Sequence, residues 1–262
     1  AAAAAVSVVV VAGAAFASGL VTLTNLSQVT TGVIIIAAIG YFALLLTSPK
    51  VDAGERTRVR AFIPLFIANA VFWSLFQQIF TVLAVYSDER MNWSIFGWTA
   101  PSSWIGSIEP IWIIALSPLF AVMWTRLGRR APTTPRKFAY GVIGMGAAFL
   151  LFLPFAGTTG RAVPALFIVA VMAGFAVSEL MISPIGLAVT TQLAPDAFRA
   201  QMMALYFFSV GLGTSMSGVL ARYYDPAHEF AYFGILGLVA IGAGLLVLAY
   251  TGRISRLMPG VH

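Results

Sequence analysis

Two carboxylates stand inside apolar runs: Glu109 in SSWIGSIEPIWIIALSP and Glu179 in SELMISPIGLA. The other seven acids, Asp52, Glu55, Asp88, Glu89, Asp196, Asp225 and Glu229, fall in polar loops or at helix ends. An ionised side chain at the centre of a bilayer costs roughly 2.5–3.5 kcal/mol on insertion scales, so such a residue faces a cavity or a partner. A carboxyl in that position can exchange a proton or hold a cation. Glu179 lies about 17 residues into an expected helix over 162–193, too deep to reach the interface. The ISPIG run beyond it carries Pro184 and Gly186 and predicts an interruption of regular backbone hydrogen bonding, where a binding cavity forms. The plainer reading of Glu179 is a buried acid that pairs with a base and holds helices together. Glu109 sits roughly 9 Å below the start of its helix at 1.5 Å per residue. Two readings of it stand: a carboxylate near the interface or the positive end of a helix, or a proton or substrate contact on a cavity wall.

The elements that must carry these residues are membrane helices. Of 262 residues, 60% are hydrophobic and 9% charged, against about a quarter charged in a soluble domain. Apolar runs long enough to cross a hydrocarbon core of about 30 Å recur along the chain, and no segment alternates as a barrel strand does. The pattern predicts eight helices, over 3–22, 30–48, 61–86, 103–124, 138–157, 162–193, 200–221 and 230–251. With both ends on one face, twelve of the fifteen bases fall on that side and only Arg90, Arg161 and Arg222 on the other. The positive-inside rule makes the richer side cytoplasmic, so the net charge of +6 reports orientation in a multi-pass cytoplasmic membrane protein and not a nucleic-acid partner. There is no cysteine, and His228 and His262 lie outside the spans, so a metal or haem site is not expected.

An alanine run without an initiator methionine opens the chain, which reads as part of a longer protein. A helix hairpin over 1–48 precedes a polar cytoplasmic linker over 49–60, six helices over 61–251, and a cytoplasmic tail over 252–262. Six helices are half of a major-facilitator transporter. The fold class expected is therefore all-α integral membrane, a carboxy-terminal six-helix bundle plus an extra hairpin, whose amino-terminal six-helix partner lies outside this chain.

SELMISPIGLAVTTQLAPDAFRAQMMALYFFSVGLGTSMSG resembles the tenth and eleventh helices of the proton-dependent oligopeptide transporter family. That family reads Gly-Glu-Leu-x-x-Ser-Pro-Ile-Gly-Leu, then Leu-Ala-Pro, then Gln-Met-Met-Gly. AVFWSLFQQ is similar to its seventh helix, PSSWIGSIEPIWIIALSPLFAVMWTRLGRR with KFAYG to its eighth and the entry to its ninth, and the leading hairpin to a pair that bacterial members insert. The resemblance covers essentially the whole chain.

The resemblance implies a proton-coupled symporter of di- and tripeptides, without an enzymatic activity and without a cofactor other than protons. On it, Glu179 matches the glutamate that binds the amino group of a short peptide, and Ser183 is the serine one turn later. Three departures matter. Gln77, followed by Gln78, replaces the seventh-helix acid that takes up the driving proton. Glu109 stands where asparagine precedes the proline of the eighth helix, which makes it the candidate substitute for proton coupling. Tyr206 replaces a frequent tryptophan of the eleventh helix. The substrate-binding set expected is Glu179, Ser183, Gln77 and Tyr206. Two alternatives remain: a member that moves a non-peptide solute, or a degenerate, non-transporting subunit of a membrane complex.

Overall fold

The computed structural model describes residues 13–95 and 97–258. Half of the expected 3–22 helix lies outside them, and within the other half 13–17 are helical. The main helices are α1 (Leu26–Thr47), α2 (Ala53–Phe76), α3 (Val82–Arg90), α4 (Ile105–Leu127), α5 (Thr134–Leu150), α6 (Ala165–Leu193), α7 (Arg199–Ala221) and α8 (Glu229–Arg256). Among the described residues, seven helical segments are long and apolar enough to cross a membrane, with α2 and α3 joined in one of them.

Two boundaries move for physical reasons. The linker read over 49–60 turns helical at Ala53, because Asp52 caps the helix: its side chain accepts from the Glu55 amide at 2.7 Å, and Glu55 accepts in return from the Asp52 amide at 3.1 Å. Glu55 also accepts from the Asp196 amide at 2.9 Å, which ties the helix start to the loop before α7. At the other end α8 continues to Arg256, so the segment read as a tail from 252 begins inside a helix.

The expected single helix over 61–86 is bent. A 3-10 turn over Gln77–Phe80 separates α2 from α3. Gln78, fully buried, fills the bend: its Oε1 accepts from Tyr232 at 3.1 Å and from Thr81 at 2.9 Å, and its Nε2 donates to the Ser217 carbonyl at 3.4 Å. One amide side chain thus ties the bend to α7 and α8, supplying the polar groups that an irregular backbone needs inside a membrane.

Helices pack through small residues, since lipid gives apolar faces no reason to leave it and close backbone approach maximises contact. α5 lies against α8, α2 against α7, α6 against α5 and α4, and α1 against α7. A Cβ on Gly146 of α5 would stand 2.5 Å from the carbonyl oxygen of Gly237 on α8, so that crossing requires glycine. The small-residue face of α7 is used on two sides. Gly213 meets Trp73 and the Ala70 carbonyl of α2, while Gly211 and Gly218 meet Ile34 and Ser27 of α1. The hairpin helix therefore docks on the bundle along one face.

On the side away from most bases, a buried ion pair closes the bundle. Arg90 donates to Glu229 at 3.0 Å and to Thr158 at 3.3 Å, and the Tyr224 hydroxyl donates to the other Glu229 oxygen at 3.0 Å. Burial first, then the Glu229 charge, hold the Tyr224 phenol well above the usual tyrosine range, which keeps it a donor. Three separate connections are fixed by this one cluster: the end of α3, the α5–α6 loop and the start of α8.

Candidate functional site

α6 runs through ISPIG without a break, against the expected interruption. Pro184 withholds only the donor that would serve the Leu180 carbonyl, and Thr190 donates its hydroxyl to the Gly186 carbonyl at 2.6 Å one turn on. The effect of the motif lies elsewhere. Gly186 leaves room for an aromatic ring: a Cβ there would stand 2.7 Å from Cε2 of Tyr206 on α7. The ring comes to rest against the backbone of α6, with its hydroxyl 3.5 Å from the Ser183 carbonyl.

Glu179 is half-buried near the middle of α6, and the Ser183 hydroxyl donates to its Oε1 at 3.3 Å. Glu109, on α4 directly before Pro110, is only 5% exposed. Its carboxyl neighbours that of Glu179 where α4 packs on α6. Its Oε1 has no hydrogen-bond partner. Two ionised carboxylates are acceptors only, so these two can be joined only by a proton on one of them or by an outside donor that bridges both. α4 is held on α6 by Trp112, whose indole donates to the Val169 carbonyl at 2.9 Å.

No base among the described residues forms an ion pair with either carboxyl. The ion pairs among the described residues are Arg58 with Glu55, Arg90 with Glu229, Arg199 with Asp196 and His228 with Asp225. The reading of Glu179 as an acid that pairs with a base to hold helices together therefore finds no such base among the described residues. What the structure assembles from α4, α6 and α7 is a two-carboxyl face flanked by a serine and a tyrosine, suited to hold a cation that can donate several hydrogen bonds. Among the described residues no group of three or more His, Asp or Glu side chains gathers to hold a metal ion.

Of the five residues singled out in the sequence, Glu109, Glu179, Ser183 and Tyr206 come together. Gln77 stands apart from them: its amide donates to the Thr214 hydroxyl of α7 at 3.0 Å. Adjacent glutamines thus divide, Gln78 inward to the bend and Gln77 to the open side. Asn69 was not singled out, although it is a lone amide inside the apolar run of α2. It is buried, and it donates at 2.7 Å to Ser209, which in turn donates to the Tyr206 carbonyl at 2.6 Å. Asn69 fixes the turn of α7 that presents Tyr206. Three of the principal cavities lie away from the carboxyl pair, one between α2 and α8 and two near the connections at 92–106 and 162–166.

Comparison with known proteins places the geometry in a family. The chain matches the POT family over residues 21–236. It is 36% identical over 261 residues to the uncharacterized transporter YclF of Bacillus subtilis (strain 168), covering 98% of this chain and 53% of that protein. It is 36% identical over 247 residues to a di-/tripeptide transporter of Lactococcus lactis subsp. cremoris, covering 92% of this chain and 50% of that one. Among solved structures, the peptide transporter POT in complex with sulfate superposes with a TM-score of 0.89 at 40% identity, over 99% of this chain and 53% of its own. A POT family transporter in complex with 5-aminolevulinic acid superposes with a TM-score of 0.85 at 30% identity, over 95% of this chain and 52% of its own. The chain spans about half the length of the curated relatives it matches.

Proposed function

Because the chain belongs to the POT family, we propose that it forms the carboxy-terminal half of a proton-coupled importer of di- and tripeptides working by alternating access. The observation that carries this reading is that Glu109 and Glu179 are neighbours with no ion-pairing base among the described residues. A peptide brings a free α-amino group, a cation with three N–H donors, and Glu179 is its counter-charge. Ser183 steadies the Glu179 carboxyl, and Tyr206, its ring lodged against Gly186, walls the site. Peptides differ in side chains and agree in their termini, so a site keyed to the amino end accepts many sequences. In this reading the opposite wall belongs to the amino-terminal half, which explains why Glu179 is only half-buried here.

Glu109 is the proton-coupling group in this account, taking the role that Gln77 cannot fill, since an amide carries no exchangeable charge. The twelve-to-three split of bases supports a cytoplasmic location for both ends of the segment and a place in the cytoplasmic membrane. Glu109→Gln in the complete transporter is expected to abolish accumulation of a labelled dipeptide driven by an inward pH gradient in proteoliposomes. Counterflow exchange, which needs no net proton movement, should persist in that variant. Unchanged accumulation would refute the role.

A second reading, transport of an amine-bearing solute other than a peptide, is supported by Gln77 and by the relative solved with 5-aminolevulinic acid. In that case the same liposomes fail to accumulate dipeptide and accumulate the smaller amine.

A further inference from the structure

The cavity between α2 and α8 lies apart from the carboxyl pair and takes no part in holding the peptide or the proton. It is a groove of about 380 Å³ on the base-rich side of the chain, lined by Pro64, Ile67, Ala68, Leu246, Tyr250 and Arg253 among others. Ile67 and Leu246 are each more than half exposed, so the groove opens outward from the bundle. Its wall along α8 and the cap residue after it extends from Ala243 to Leu257, a rise of about 21 Å at 1.5 Å per residue. That is one leaflet's share of a hydrocarbon core of about 30 Å, with room for the headgroup level above it.

Charge gathers only at one end. Arg253 is exposed at the rim, held with its guanidinium 5.3 Å over the Tyr250 ring, and it forms no salt bridge with a described carboxylate. Arg60 is exposed on α2 one turn before Pro64, hence on the same face and toward the same end. Arg256 follows Arg253 at the neighbouring helical position and is exposed as well. Arg253 thus lines the groove, with Arg60 and Arg256 exposed one helical turn away at the same end, while the body of the slot is apolar. A soluble anion would find charge at the mouth and nothing polar inside; an uncharged apolar chain would leave the cations unused.

The geometry points to a binding site for one anionic glycerophospholipid, with an acyl chain along the α2–α8 groove and its phosphate at Arg253, flanked by Arg60 and Arg256. A basic residue close to a membrane surface contributes about fivefold in affinity for an anionic headgroup. The site is independent of the carboxyl pair and does not rest on the identity of the transported solute. It predicts that the protein selects among lipids of equal chain length by charge.

The complete transporter, purified in detergent, is titrated with phosphatidylglycerol and phosphatidylcholine of identical chains, and retained lipid is counted by native mass spectrometry. Phosphatidylglycerol is expected to be retained preferentially. Arg253→Gln should lower its affinity about fivefold and leave phosphatidylcholine unaffected. Leu246→Trp, which fills the slot, should weaken both lipids. Both substitutions are at exposed positions, and size-exclusion profiles and melting temperatures show whether each variant is folded. Equal retention of the two lipids by the wild type, or full retention of phosphatidylglycerol by Arg253→Gln, overturns the proposal. If the other half of the transporter covers the groove, Leu246→Trp lowers the melting temperature while lipid retention stays as in the wild type, and this too overturns it.

Discussion

Replacing Glu179 by glutamine in the complete transporter is expected to eliminate dipeptide uptake while the protein still inserts and melts near the wild-type temperature. Glutamine keeps the size of the side chain and an acceptor for Ser183, so the packing of α6 against α4 and α7 is preserved. What is lost is the counter-charge. A hydrogen bond to a charged group is worth about 1.5–3 kcal/mol, and losing the partner of a desolvated ammonium costs at least that. The apparent affinity for peptide should then fall by roughly 10- to 150-fold. Uptake of labelled dipeptide into proteoliposomes measures the effect, and wild-type kinetics in Glu179→Gln would remove Glu179 from the site.

The second large effect lies at the opposite end of the bundle and concerns stability. Glu229→Leu leaves Arg90 buried, with only 11% of its side chain exposed, and without its carboxylate. Removing one member of a buried pair costs about 3–5 kcal/mol, because the remaining charge stays desolvated. Arg90→Met strands Glu229 in the same way. The double variant should recover much of the loss, since neither charge is then buried alone. Thermal unfolding of the purified protein, followed for both single variants and the double, reads this directly. Independent, additive losses would show that Arg90 and Glu229 do not act as a pair.

The two intramembrane acids were legible in the sequence because a charge inside an apolar run is costly wherever it lies, and no tertiary information is needed to see it. That Glu109 and Glu179 meet was not legible, since it depends on how α4 crosses α6, and their positions differ by 70 residues in the chain. In the sequence Glu229 reads as an acid of a loop or helix end, and Arg90 as one of the three bases on the sparser side. Each sits at a helix end, and only the folding of three connections onto one point makes them interior. The start of α2 was missed because ERTRVR reads as a polar linker by composition, whereas Asp52 and Glu55 form a capping box that begins a helix regardless of its polarity. Pro184 was expected to break α6. One missing donor proved too small a change to end a 29-residue helix, and the motif's consequence is instead the space over Gly186 for Tyr206. Gln77 and Gln78 could not be told apart by type. The bend at 77–80 decides which one faces inward.

In the proposed transporter, Glu179 receives the positively charged amino end of the cargo. Competition in proteoliposomes containing the complete wild-type transporter tests this most directly: an unlabelled dipeptide and its N-acetylated form are compared as inhibitors of labelled dipeptide uptake. Acetylation removes the charge and keeps the rest of the molecule. The free dipeptide should inhibit, and the acetylated one should need a concentration at least roughly tenfold higher. Equal inhibition by the two would contradict the account.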